Sequence, residues 1–266
     1  MIKYIALIIF GTSLCLSSTS YAAIAYVRDV GLITANNVNS SNVSFGTAPA
    51  VGNHVFVQIS GWCGAGFNVQ NGDIVDNQGG GNTYNVDLVE NPGFASTQAS
   101  ITSSHIASSS GTFTITVTPD NTADFFVWSA SEFSGIATSN WLDKTGVFPT
   151  ASTTTGTVTA SGVNSQANEL VLPVIVLDSN EDVALTGTAT TGYATIYTYS
   201  DAATIIGGQG NYKIVTSPET SSATWTWNDP GIQGSALIIA TYKSALGAAD
   251  TTTVIRNATI RNASIP

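Results

Sequence analysis

Apolar and polar residues alternate along most of this chain with a period of two. In residues 112–118 the side chains of Phe113, Ile115 and Val117 fall on one face and four threonines on the other. Such alternation marks a strand with one face buried. Similar segments, rich in Val, Ile, Thr, Phe, Tyr and Trp, occur at 55–60, 83–89, 125–133, 155–160, 169–177, 193–199, 212–216, 223–227 and 235–242. Gly, Asn, Asp, Ser and Pro separate them, which is strand-and-turn chemistry. Asn71-Gly72, Gly79-Gly80-Gly81-Asn82 and Gly207-Gly208 are predicted turns, because these residues tolerate positive φ. No stretch sustains the 3.6-residue period of a helix. About a dozen short strands without helices predict an all-β fold, an antiparallel two-sheet β-sandwich of jelly-roll type. Two smaller seven-stranded sandwiches would fit the same pattern. No Pro-rich or charged linker divides the chain, which favours one domain over residues 23–245.

The two ends follow other patterns. Lys3 is the sole charge before Arg28, and between them runs an apolar stretch from Tyr4 to Leu16 that ends in Ser20-Tyr21-Ala22-Ala23. A basic start, an apolar stretch of about a dozen residues and a small-x-small site read as a secretory signal peptide, residues 1–22. The stretch falls short of the roughly 20 residues that span a bilayer. Cys15 follows Leu14 rather than a small residue, which argues against a lipoprotein signal. The expected location is secreted or extracellular, the periplasm included, with no membrane span once the signal is cleaved. Cleavage would leave Cys63 as the single cysteine and exclude an internal disulfide. Beside Trp62 it reads as a small buried hydrophobe, with a reactive thiol as the alternative.

Residues 246–266 carry a five-residue repeat, Val254-Ile255-Arg256-Asn257-Ala258 and Thr259-Ile260-Arg261-Asn262-Ala263. It resembles the repeat of pentapeptide β-helices, but two and a half repeats cannot bury each other's apolar faces. The tail therefore reads as a docking strand or a truncated repeat through which the chain could self-associate, with plain fraying as the alternative.

Composition narrows the function. Charged residues are 9 % and hydrophobic ones 43 %, which excludes a disordered chain and a coiled coil. Seven basic residues against seventeen acidic ones give a net charge of −10, which would repel a phosphate backbone, so nucleic acid is not an expected partner. Two histidines on different predicted elements do not make a zinc centre. No Gly-x-Ser-x-Gly elbow occurs. Glycoside hydrolysis needs two carboxylates about 5–9 Å apart. Glu132 is the candidate acid, inside a predicted strand beside Phe126, Trp128 and Ala130, where burial would raise its pKa. A structural acceptor is the competing reading.

No cofactor is expected beyond a structural calcium ion. Asp178, Asn180 and Asp182 place oxygens at alternate positions, as an EF-hand loop begins, but Val183 stands where that loop needs Gly. Asp73, Asp76 and Asn82 form a second oxygen cluster around a glycine turn. Solvated turn residues are the alternative for both. Trp225 and Trp227 share one strand face and, if exposed, would form a platform for sugar rings; buried, they would be core. Trp62 and Trp141 stand next to Gly or Asn and are candidate loop anchors. The Thr-x-Thr rows raise ice binding, against the plainer reading of an uncharged solvent face.

One resemblance rests on a succession of motifs: Val51-Gly52-Asn53, Val75-Asp76-Asn77 with Gly81-Asn82-Thr83-Tyr84, residues 111–118, and Glu132-Phe133-Ser134-Gly135. Leu142-Asp143, Glu169-Leu170-Val171, Gly210-Asn211-Tyr212, Trp225 and residues 238–243 complete it. The order resembles a group of uncharacterised β-sandwich domains in exported bacterial and phage-associated proteins, over about residues 25–243. That resemblance implies the fold and brings no catalytic residues. The function expected is a secreted, non-catalytic module that binds an extracellular glycan or surface polymer through Trp62 and Trp141. The alternatives are a structural subunit of a surface layer, filament or virion, and a glycan-cleaving enzyme built around Glu132.

Overall fold

The computed structural model describes residues 23–62, 67–91, 97–120, 123–150, 154–179, 192–201, 206–227 and 232–245. The predicted leader, Cys63 and the repeat tail lie outside these residues. Among the described residues there are sixteen strands and no helix. They are β1 (Ala25–Asp29), β2 (Ile33–Val38), β3 (Ser41–Phe45), β4 (His54–Trp62), β5 (Ile74–Asp76), β6 (Asn85–Glu90), β7 (Thr97–His105), β8 (Phe113–Val117) and β9 (Ala123–Ser134). Then follow β10 (Leu142–Thr150), β11 (Thr155–Val163), β12 (Glu169–Ser179), β13 (Ala194–Asp201), β14 (Ile206–Val215), β15 (Thr220–Thr226) and β16 (Ile232–Tyr242). Every pairing between them is antiparallel.

The sheets stack as sandwiches, in four layers. An inner sheet ordered β1-β9-β4-β7-β6, with β2 also on β9, is covered on one face by β3-β8-β5. A second inner sheet ordered β10-β16-β12-β14-β13 is covered by β11-β15. Three cores lie between the layers. Val55, Val57 and Ile59 meet Phe113, Ile115 and Val117 in the first outer core. Phe56, Ile101 and Phe133 meet Leu170, Leu172 and Ile238 in the central core. Ile175, Leu237 and Ile239 meet Val158, Ala223 and Trp225 in the second outer core. Strands β4 and β12 are thus covered on both faces, which is why their sequences are near-continuous apolar runs.

The chain traces one path twice. In each half the opening strand (β1 or β10) pairs with the closing strand (β9 or β16), and the next three neighbours follow in the same sequence order. The irregularities repeat as well. Register slips between Tyr26 and Arg28 in β1 and between Leu142 and Thr145 in β10. It slips again between Val86 and Leu88 in β6 and between Thr195 and Tyr197 in β13. Each half is therefore a small sandwich, and the two share the central core. Past the closing strands the halves are joined directly: Ile136 bridges Ser244, Ala137 N–H donates to Lys243 O at 2.9 Å, and Ala245 N–H to Gly135 O at 2.8 Å.

Strands β1, β2, β3, β5 and β10 lie outside the segments expected from the sequence, and two further features depart from its pattern. Gly207-Gly208, a predicted turn, lies inside β14. A Cβ on Gly208 would stand 2.8 Å from Ser60 Cβ and 2.9 Å from Val127 Cγ2, so the glycine lets the inner sheets approach closely. Strand β7 was not predicted because its sequence, TQASITSSH, offers only Ala99 and Ile101 as apolar residues, yet Thr97 to Ser104 are buried.

Candidate functional site

The sequence candidates separate once they are placed. Glu132 is fully buried. One carboxylate oxygen accepts from Arg28 Nε at 2.6 Å, the other from Ala50 N at 2.8 Å and Asn53 Nδ2 at 2.6 Å. It ties the opening strand, the loop before β4 and the closing strand together, which is a brace. The second half has a brace at the same corner with the acid moved across it. Thr241 holds the register position of Glu132, and its Oγ1 accepts from Lys144 N at 3.1 Å. The acid there is Glu169, accepting from Gln166 N at 3.0 Å, and burial followed by the charge of Asp143 pushes its pKa up.

Trp225 and Trp227 face inward. They are 0 % and 3 % exposed in the second outer core, and Trp225 Nε1 donates to Gln209 Oε1 at 2.7 Å. They make no sugar platform, because the outward face of that strand carries Ser222, Thr224 and Thr226. Trp62 closes β4 as a half-buried residue, not a loop anchor, with Nε1 donating to Asp178 Oδ2 at 3.1 Å. Asp178 is itself buried, which raises its pKa. Asn180 and Asp182 lie outside the described residues.

The oxygens of Asp76 and Asn82 and one oxygen of Asp73, the other calcium candidate, accept from protein donors. Asp73 Oδ2 accepts from Gln70 N at 2.7 Å. Asp76 accepts from Gln78 N at 2.9 Å and Asn82 Nδ2 at 2.7 Å, and Asn82 Oδ1 accepts from Ala107 N and Ser108 N. Among the described residues no group of three or more His, Cys, Asp or Glu is placed to hold a metal.

Trp141 remains. It is half-buried just before β10, and with Asp87, Asn85 and the exposed residues 138–140 it lines a cleft of about 420 Å³. Trp141 Nε1 donates to Ser103 Oγ at 2.9 Å, and the ring meets His54 edge to face at 5.2 Å. Asp87 occupies the bulge of β6, where Oδ2 accepts from Tyr242 OH at 2.9 Å and the Ser103 hydroxyl also bonds to it. Burial pushes the Asp87 carboxyl up to about 6. Behind the indole, His54 is fully buried beside His105, at 5.1 Å, and neither of its ring nitrogens has a hydrogen-bond partner among the described residues. Burial, then the neighbouring His105, brings its pKa down to about 3, so it is neutral.

The duplicated path supplies an internal comparison. By register, Asp87, Ser103, Tyr242, His54 and Leu142 correspond to Ile196, Tyr212, Phe133, Leu170 and Tyr26. At that second place Tyr26 stacks on Tyr212 at 5.0 Å and 9°, and Phe133 closes on both rings at 5.6 and 5.4 Å. The architecture thus accepts an aromatic stack here, and the polar set around Asp87 is not a requirement of the fold. Asp87 lay within a predicted strand; its signal was an acid between Val86 and Leu88, where the pattern wants an apolar or outward residue. Ser103 and Tyr242 carried no signal, since contact between distant strands brings them in.

No family model, curated protein or solved structure matches this chain, and nothing in those comparisons bears on the resemblance to exported β-sandwich domains.

Proposed function

We propose that the protein is an exported, non-catalytic module that binds an extracellular glycan or a similar hydroxyl-rich surface polymer in the Trp141 cleft. The observation that carries this reading is the contrast between the halves: one junction carries a stack of two half-buried tyrosines against Phe133, and its counterpart carries a cleft lined with an indole, a carboxylate and carboxamides. An aromatic wall with a few convergent polar groups is the general form of a small-ligand site. A carboxylate and carboxamides accept and donate to sugar hydroxyls, and an indole face packs on their C–H surface. Among the described residues Asp87 is the one acid lining the cleft, whereas hydrolysis of a glycosidic bond needs a pair. Glu132 has no part in the site, because both its oxygens are committed to the brace.

The test is a glycan array with the full chain, followed by titration of the glycans retained. Trp141→Ala is expected to weaken binding by roughly tenfold or more, with a cooperative melting transition retained. Wild-type affinity in that variant would refute the site.

A further inference from the structure

We infer that the ligand is a neutral oligosaccharide lying along the first part of β6 across two adjoining cavities, not a single sugar held at Trp141; this rests on the glycan reading above. A second cavity, of about 530 Å³, opens beside the first, and Asn85 lines both. The walls on either side of Asn85 come from consecutive stretches of one chain segment, Thr83 and Tyr84 on one side and Asp87 on the other. At the rise of an extended chain, Thr83 to Asp87 cover about 13 Å, which exceeds one pyranose ring.

The second cavity is pre-formed. Asp76 is held by Gln78 N, Asn82 Nδ2 and the Tyr84 hydroxyl, the last at 3.2 Å, and Asn82 in turn by Ala107, Ser108 and Asp76. These groups fix the wall and are spent on it. Three others face the space with capacity to spare. Asn71 uses Oδ1 to accept from Val86 N at 2.7 Å and keeps its amide hydrogens. Thr83 is exposed, and the Asn85 carboxamide makes no hydrogen bond with any described residue. Among the described residues no Lys or Arg lines either cavity, and the chain carries a net charge of −10, so sulfated, phosphorylated or uronic-acid polymers are disfavoured. A wall of carboxamides, a hydroxyl and one indole, whose only charged groups are the acids Asp76 and Asp87 among the described residues, suits an uncharged, hydroxyl-rich chain.

The experiment is calorimetric titration of the full chain with malto-, cello- and N-acetylchito-oligosaccharide ladders from monomer to hexamer, with heparin and alginate oligomers as acidic probes. In one neutral series affinity is expected to rise roughly tenfold between the monomer and the trimer or tetramer, then level off. Asn71→Ala and Thr83→Val should each weaken the longer ligands several-fold and leave the monomer unchanged, while Trp141→Ala weakens every length. Thr83 is exposed, so its variant reports on the groove even if Asn71→Ala disturbs the turn. Affinity independent of length, with Trp141→Ala still disruptive, would overturn the groove and leave the glycan site standing. Binding of the acidic probes alone would overturn the neutral class. Binding of none would overturn the groove and the glycan reading together.

Discussion

Asp87 and His54 belong to one polar cluster at the edge of the central core, and burial moves their proton equilibria in opposite directions. The Asp87 carboxyl titrates near 6 in the folded chain against an ordinary 3.8. Its favourable contribution is therefore present below about pH 4 and is lost as pH rises through 6. The His54 imidazole titrates near 3 against an ordinary 6.5, so its contribution is present above 6.5 and is lost as pH falls toward 3. The two effects oppose each other between pH 4 and pH 6, and substitutions should separate them. Asp87→Asn is expected to abolish the loss on the rising limb, on the order of 1 kcal/mol once solvent screening of a half-buried group is allowed for. His54→Leu, the residue that the second half uses at the same register position, should flatten the acid limb. Denaturant midpoints measured from pH 3.5 to pH 8 would show both; profiles superimposable on wild type would contradict the assignment.

At the scale of elements, the central core contains a repair that only the assembled sheets reveal. Pro173 lies in β12, between β14 and β16, where a proline removes a ladder donor. The β12–β14 pairing accordingly skips from Val171–Lys213 to Val174–Gly210, and the carbonyl of Asn211 loses its partner. Gln58 reaches across from β4, and its Nε2 donates to Asn211 O and Pro173 O, both at 3.2 Å. Gln58→Leu should therefore cost more stability with Pro173 present than in a Pro173→Val background, where a backbone N–H returns. The coupling expected from a double-mutant cycle is about 1 kcal/mol. Additive effects would show that Gln58 does not serve that carbonyl. The strands carrying apolar residues on alternate positions were legible from the sequence, as in 112–118. Strand β7 was not, because both its faces are buried through serine and threonine, and periodicity tracks apolar residues. Gly207-Gly208 misled for a related reason: a glycine needed for close approach between sheets looks the same as one needed for a turn.

At the scale of the whole molecule, duplication defines where to look for a site. Two halves with the same connectivity share one core, and their equivalent junctions differ in chemistry. That difference was illegible along the sequence, because Asp87, Ser103, Trp141 and Tyr242 come from both halves and meet only through the shared core. Trp141 was legible as an aromatic beside Asn140, but Trp62, Trp225 and Trp227 carried similar signals; Trp225 and Trp227 are buried in a core, and Trp62, half-buried against the central core as Trp141 is, lines neither cavity. The chain contains five tryptophans, which makes the decisive comparison measurable in one experiment. In a ¹⁵N–¹H spectrum of the indole region, adding a bound oligosaccharide is expected to shift the Trp141 Nε1–H resonance strongly and leave those of Trp225 and Trp227 in place. A ligand that bound while Trp141 stayed unmoved would contradict the account.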